Sequence, residues 1–530
     1  MVAEKALSKP FNDIDNDELD ALIKRVTEAQ KHELALSSED CQLLLDALLT
    51  LATMQDNLAS KDVTIGKLRK LAGMVKSSES LGTQVGSGKG KRQTRRNKPK
   101  TPSVKPEVKH HKLDHLCKGD ECPECQKGKL YKYEPATFLR ITGQSPFVPE
   151  QHVMERLRCN TCGAYFTAQM PEEVLADGDA NQKYGYSARS IMGVAKFFAG
   201  TPYYRQGSLQ DLLGVSIAAS TLFDQTEHLS NALFPVFRYL RNILAADAAH
   251  FYLDDTTNRI IDQQPISKKQ RNSDKERIRT GVYTSGLIAT TESGKRIVLF
   301  ETNIGHAGEF IDDILKNRTP SNAPPLMMSD ALSHNKPTVT AVIGALCNSH
   351  GRRQFFDVYS HFPDEVEHVI KRYSLIWQHE TETVDNKLSP SERLAHHKKY
   401  SLPVMEEIQS WGNTHLKNDT VEENSGLGKA IRYFDKHFDG LSCFCRVEGA
   451  MLDNNLMEAM LKLIVRNRKN AGFFKTGSGA AIGDVVTSLI ATATEASANA
   501  VDYFNVLQRN ADDVKAHPEN YLPWNYQATA

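Results

Sequence analysis

From Phe251 to Cys347 the chain passes through short apolar segments punctuated by acids, and this order restricts its fold more than any other stretch. Phe251-Tyr252-Leu253 is a strand-length run ending in Asp254-Asp255. GVYTSGLIAT and RIVLFETN follow, rich in β-branched and aromatic residues and joined by a turn at Glu292-Ser293-Gly294. Gly308 to Lys316 has helical spacing. Pro325 to Ser329 is a further apolar run closing on Asp330, Thr338 to Gly344 reads as a helix, and Ala345-Leu346-Cys347 as a last strand before Asn348-Ser349-His350. The predicted order is β-β-β-α-β-α-β.

A later stretch, DNNLMEAMLKLIVRNRKNAGFF from Asp453 to Phe474, predicts a helix. Leu456, Met460, Leu463 and Ile464 form its expected buried stripe. Asp453 or Asn454 can cap its start, a short side-chain oxygen satisfying an orphan amide there. Glu458 stands at the rim of the stripe. Arg466, Arg468 and Lys469 crowd the far end, where Asn470 and Gly472 turn the chain. The residues between His350 and Asp453 are too many for a loop. They read as an α-helical insertion with helices over Pro363–Lys371, Ser391–Lys399 and Leu402–Trp411.

That order is the order of a ribonuclease-H-like fold. Its chemistry requires three carboxylates around two divalent ions, from the first strand, the end of the fourth and a helix after the fifth. Such ions activate an attacking oxygen and stabilise the leaving one in phosphoryl transfer, and hard oxygen ligands suit Mg²⁺ or Mn²⁺. Asp254, Asp330 and Glu458 fit the three places. Alternation along the first strand puts Asp254 and Asp255 on opposite faces and leaves the choice between them open.

A chain of 530 residues exceeds one core and predicts roughly three or four domains. The fold class expected is multidomain α/β: the ribonuclease-H-like core with its insertion, preceded by coiled coil, zinc ribbon and helix-turn-helix region. Residues 1–43 are polar and partly helical, with a weak helical pattern around Leu19 to Val26. Over 44–76, Leu44, Leu51, Leu58 and Ile65 recur seven apart, with Ala47, Met54 and Leu68 three beyond, as in a dimeric coiled coil. A single amphipathic helix is the alternative. Residues 77–113 form a basic flexible linker. Its ten Lys and Arg between Lys89 and Lys112, among them Lys91, Arg92, Arg95 and Arg96, suit either a solvated tether or a phosphate-binding arm.

Residues 114–172 hold Cys122-Pro-Glu-Cys125 and Cys159-Asn-Thr-Cys162, two knuckles whose four thiolates suit one structural Zn²⁺. Residues 173–245 are helical. SLQDLLGVSIAASTLFDQTEHL has the form of two helices around a Gly214-Val215-Ser216 turn, the second starting at Ile217, with Ser220, Thr221 and Gln225 free to face a groove. The core then takes residues 246–351, the insertion 352–449, the last core part with the Glu458 helix 450–480, and a C-terminal helix and tail 481–530. The Gly-rich FKTGSGAAIGD reads as the approach to that helix. No apolar run reaches membrane-span length and no signal peptide opens the chain. Cysteines in CxxC pairs point to a reducing cytoplasm.

Further motifs carry a resemblance over most of the chain from about residue 114. They are the paired CxxC finger, Tyr204-Arg205-Gln206, Asp254-Asp255-Thr256, Asp330, Cys347-Asn348-Ser349-His350-Gly351-Arg352-Arg353-Gln354-Phe355, Asp453-Asn454-Asn455 through Glu458, Arg468-Lys469-Asn470 and Leu522-Pro523-Trp524. Together they resemble the insertion-sequence-66 family of bacterial DDE transposases. The resemblance implies a DNA transposase that binds the ends of a mobile element as a homodimer or larger assembly, with target DNA and accessory proteins of the same element as further partners, in the bacterial cytoplasm at the nucleoid. It favours Asp254 over Asp255 as metal ligand and, with the residue reading, marks His350, Arg353, Arg468 and Lys469 for phosphate contact, a buried structural role being the alternative for His350. This sequence departs from the family pattern at Ala459 and Lys462, where the family has Arg, and at Asn348 and Ser349, where it has Trp and Ala. The rival functions are a transposase-derived, zinc-dependent DNA-binding protein or repressor without strand transfer, and a generic nuclease of the same fold.

Overall fold

The computed structural model describes residues 16–32, 35–45, 117–121, 123, 129–130, 145–158, 160, 165–179, 181–269, 276–338 and 341–526. The chain divides into two compact units, Met1–Gly90 and Lys91–Ala530. In the first, helix α1 (Asn16–Lys31) contains the helical pattern expected around Leu19 to Val26, and Arg25 pairs with Asp40 at 2.8 Å. The heptad stretch lies outside the described residues apart from Leu44 and Leu45.

In the second unit, β1 (Arg156–Arg158) pairs antiparallel with β2 (Tyr165–Thr167), Leu157 opposite Phe166. The four cysteines of the expected zinc ribbon, and Lys91, Arg92, Arg95 and Arg96 of the linker, lie outside the described residues. Three helices follow: α2 (Tyr186–Phe197), α3 (Tyr203–Leu212) and α4 (Ala219–Tyr239). Gly214, at φ +83, sits in the turn between α3 and α4. The second helix begins at Ala219, not Ile217, because Ile217 is drawn into a small core with Met192 and Leu222. Helix α4 buries Leu222, Thr226, Leu229, Leu233 and Val236, three or four residues apart. Its C-terminal half shares a core with the sheet that follows.

That sheet has five strands: β3 (His250–Asn258), β6 (Val282–Thr290), β7 (Arg296–Asn303), β8 (Leu326–Ser329) and β9 (Ile343–Leu346), in the order β7-β6-β3-β8-β9. β7, β6 and β3 are antiparallel neighbours, whereas β3, β8 and β9 run parallel. A separate ribbon, β4 (Ile266–Lys269) with β5 (Glu276–Arg279), intervenes between β3 and β6. Helix α5 (Ala307–Leu315) joins β7 to β8. Among the described residues of the helix expected at Thr338–Gly344, none is helical. The described residues from 341 run extended into β9, and the Ile343 amide donates to the Pro325 carbonyl at 2.9 Å. Val342 and Ile343 are β-branched and suit the pleated edge beside β8 better than a helix.

Both faces of the sheet are covered, and alternation sorts the strands between them. Leu287, Ala289, Ile297 and Leu299 join the core with α4, α5, α11 (Gly477–Glu495) and α12 (Ala500–Arg509). Ile288, Val298 and Phe300 face the other way, onto α10 (Asn455–Ala471). Helix α10 buries Met457, Leu461, Ile464 and Asn467, a stripe rotated by about one residue from the expected one, with Leu456, Met460 and Leu463 only half-buried at its margin. Gly286 lets α10 lie this close. A Cβ there would strike Met457 and come within 3.1 Å of Leu461 and 3.2 Å of Phe300.

After β9 come α6 (Asn348–Phe356) and the insertion, α7 (Pro363–Asp385), α8 (Pro390–Lys417) and α9 (Gly426–Lys436). The two helices expected over Ser391–Lys399 and Leu402–Trp411 are one, continuous through Pro403. A Ser389–Glu392 capping box starts it, and Glu380 of α7 holds Arg393 and His397 of α8 at 2.8 Å each. These anchors and the buried Met405 and Ile408 outweigh the one backbone bond that proline removes. The Gly-rich approach is likewise helical from Gly477, where Thr476 Oγ1 accepts the Gly479 amide at 3.1 Å. Along α11, Asp484, Ser488 and Thr492 stand four apart and accept the amides of Thr302, Phe300 and Val298 on β7, at 2.7, 2.9 and 3.0 Å. No described helix is long and apolar enough to cross a membrane.

Candidate active site

The pleat of β3 sends Asp254 and Asp255 to opposite faces of the sheet, as alternation predicts. Phe251 and Leu253 point into the core shared with α5, while Tyr252 packs with α10. Side chains alternate along a strand, so Asp254 faces α10 and Asp255 faces α5. The β3–β8 ladder pairs Tyr252 with Met328. Two residues further along these parallel strands stand Asp254 and Asp330.

Asp254 and Asp330 are each held by a local hydrogen bond. Asp254 Oδ1 accepts the Asp255 amide at 2.8 Å. Burial pushes the Asp254 carboxyl up to about 7, and the charges of Asp330, Asp255 and Glu458 push in the same direction. Asp330 Oδ1 accepts the Asn335 side-chain amide at 2.6 Å and the Leu332 backbone amide at 3.1 Å, so the tight turn Ser333–Asn335 grips it. Glu458 projects from the first turn of α10, with Oε1 3.8 Å from His350 Nδ1 and the two side chains 33% and 26% exposed.

What fixes α10 over the strands is Asn454. Its buried side chain donates to the Leu253 carbonyl at 3.0 Å, beside Asp254, and its amide points at the Cys347 sulfur at 3.2 Å. One residue thus ties the helix to β3 and to the end of β9. Asp453 meanwhile accepts the Asn455 amide at 3.1 Å. Burial pushes the Cys347 thiol up to about 11, so it stays a neutral acceptor. Sequence reading offered Asn454 only as a helix cap. The signal for its larger role was its place one residue before a helix that must dock on a strand.

Among the described residues, two sets of three donors close to within 4.8 Å: Cys347–His350–Glu458 beside these carboxylates, and Asp255–His306–His334 on the other face. Arg353 and Lys469 are exposed. Arg468 is taken up by β3, its guanidinium donating to Thr256 Oγ1 at 3.1 Å, Thr257 Oγ1 at 2.8 Å and the Thr257 carbonyl. Arg466 and Asn470 reach the Phe198 and Gly200 carbonyls at 2.6 and 2.9 Å. Gln225, expected to be free, accepts from Arg189 at 2.9 Å, while Ser220 is exposed. The ribbon β4–β5 was missed from sequence. Residues 266–279 carry six Lys and Arg against two acids, a charge run just beyond the end of β3.

The family model described as Transposase IS66 family matches residues 183–482, from just before α2 into α11. The uncharacterized protein y4hP of Sinorhizobium fredii (strain NBRC 101917 / NGR234) is 25% identical over 399 residues, which are 71% of this chain and 67% of that protein. The uncharacterized protein y4jD of the same strain is 30% identical over 189 residues, 35% of this chain and 36% of its own length.

Proposed function

This chain belongs to the Transposase IS66 family, and we propose that it is a DDE-type DNA transposase that binds the ends of a mobile element, cleaves them and joins them to target DNA. The strand order β7-β6-β3-β8-β9, with its antiparallel half and parallel half, is read as a ribonuclease-H-like core. The observation that carries the reading is that three acids converge from separate elements: Asp254 and Asp330 two residues beyond the paired Tyr252 and Met328, and Glu458 in the first turn of the helix packed on those strands. Asp254 on β3, Asp330 after β8 and Glu458 on α10 lie near enough for the latter two to push the Asp254 carboxyl up. A set of hard, like-charged donors of this kind suits divalent cations, and Asp254, Asp330 and Glu458 would hold Mg²⁺ or Mn²⁺. Bound there, such ions supply activation of the attacking oxygen and charge stabilisation at the leaving one.

The chain's own residues supply position. Asn335 aims Asp330, Asn454 sets the height and rotation of α10 and hence of Glu458, and Arg468 braces the strand end beyond Asp254. Of the cations marked for phosphate contact, Arg353 and Lys469 are exposed, and the basic linker and the β4–β5 ribbon are proposed as further sources of positive charge for DNA. Cys122, Cys125, Cys159 and Cys162 are proposed to hold one structural Zn²⁺, and residues 44–76 to pair two chains so that two DNA ends are held together.

The test is cleavage and joining in vitro on DNA carrying the element's own ends, with Mg²⁺ or Mn²⁺. Asp254→Ala, Asp330→Ala and Glu458→Ala should each abolish cleavage while end binding survives, because carboxylates that hold ions do not read bases. Wild-type joining by any one of them removes that residue from the set, and a wild-type chain that binds ends but never cuts them favours the repressor reading.

A further inference from the structure

On the α5 face of the sheet the structure assigns a second cation site, formed by Asp255, His306 and His334 and suited to a borderline transition ion such as Zn²⁺. The three donors come from three elements: the middle of β3, the residue that opens α5, and the turn Ser333–Asn335. Asp255 Oδ2 lies 3.0 Å from His306 Nδ1, with only 11% and 20% of the two side chains exposed. The His306 and His334 rings stand 4.3 Å apart, and Tyr283 of β6 walls the far side of His306 at 4.1 Å. One ligand atom from each of the three residues falls within 4.8 Å of the others.

This closeness is built into the backbone. Gly308, in the first turn of α5, lies so near the third element that a Cβ there would sit 2.5 Å from both the His334 and Lys336 carbonyl oxygens. Only a glycine lets the helix carrying His306 approach the turn carrying His334. The nearest other acid of that helix turn, Glu309, is held by Arg279 at 2.7 Å. Two imidazoles and one carboxylate form a donor set that prefers Zn²⁺, Co²⁺ or Ni²⁺ to Mg²⁺, which sets this site apart from the all-carboxylate group opposite.

The two faces are joined through consecutive residues. Asp254 and Asp255 are neighbours on β3, and His334 precedes the Asn335 that grips Asp330. A cation on Asp255, His306 and His334 would clip the turn to β3 and α5, and thereby hold Asn335 in place.

The experiment reads metal content and histidine reactivity, not transposition, so its failure leaves the proposed catalytic function untouched. Full-length protein is incubated with excess Zn²⁺, desalted, and its zinc per chain measured. His306→Gln, His334→Gln and Asp255→Asn should each lose one equivalent relative to wild type, whereas Asp254→Asn keeps it. In the wild-type chain, which avoids any folding defect of the variants, diethyl pyrocarbonate labelling mapped by mass spectrometry should show His306 and His334 protected by added Zn²⁺. Equal zinc content in wild type and the histidine variants overturns the site, as does labelling of both histidines that Zn²⁺ leaves unchanged. The Asp255–His306 contact is then an ordinary hydrogen bond.

Discussion

Replacing Asp254 by asparagine should make the metal-free protein more stable at pH 8 and abolish cleavage at the same time. The Asp254 carboxyl moves from an ordinary 3.8 to about 7, first through burial and then through the charges of Asp330, Asp255 and Glu458. Below pH 3.8 the group is protonated in both folded and unfolded chains, and its stabilising contribution is fully present. As pH rises toward 7 the unfolded chain releases its proton while the folded one holds it, so that contribution is lost, and above 7 the loss is complete. Three units correspond to about 4 kcal/mol at most. Asparagine keeps the oxygen that accepts the Asp255 amide and removes the charge. With roughly 2 °C per kcal/mol for a large domain, Asp254→Asn should melt up to about 8 °C above wild type at pH 8 in chelator. The gap should close as pH falls toward 4. Added Mn²⁺ should then raise the wild-type midpoint and leave the variant where it was. Coincident melting of the two proteins across this range would refute the argument, because the buried Asp254 carboxylate would then carry no penalty for its charge.

Asn454→Ala should cost about 1–3 kcal/mol, since it leaves the buried Leu253 carbonyl without its donor. It should slow cleavage far more than it weakens end binding; parallel losses would mean a purely structural role. Cys159→Ser should lose one zinc equivalent and raise protease sensitivity across residues 114–172, because metal supplies much of a small ribbon's folding energy; unchanged zinc content would count against the four-cysteine site. Deleting residues 1–76 should leave a folded chain that contacts one DNA end and sediments as a monomer at low concentration. An obligate dimer with intact end pairing would assign the heptad to packing within its own chain.

Sequence alone located the apolar runs of β3 and β8. It ended the first at Asp254-Asp255, whereas β3 continues to Asn258 because its pairing with β6 runs on through those polar residues. Sequence also misplaced what lies between β8 and β9, where the β-branched Val342 and Ile343 favour a strand and pairing with β8 fixes it. Rotation of α10 was off by one residue because its apolar positions are broad enough for two stripes, and the choice is made by Asn454 reaching Leu253, a contact 201 residues apart in the chain. Pro403 misled for the same kind of reason. Local propensity favoured a break, while the Glu380 anchors on α7 keep the helix whole. Alternation put Asp254 and Asp255 on opposite faces, but which face each takes became legible only once Phe251 and Leu253 had a core to point into.

The outer strand β7 would ordinarily be the place where a sheet invites another to extend it, since an edge presents a row of unmet amides. Here the amides of Val298, Phe300 and Thr302 end on Thr492, Ser488 and Asp484 of α11. The spacing allows this: four residues of helix advance about 6 Å and two of strand about 6.8 Å, so three rungs match before the two fall out of step. A partner that recognises proteins by adding a strand finds nothing to pair with on that side, and two copies cannot fuse their sheets there into a larger one or seed a cross-β aggregate. Any contact made across this margin must therefore use side chains and helices, leaving the sheet closed along β7.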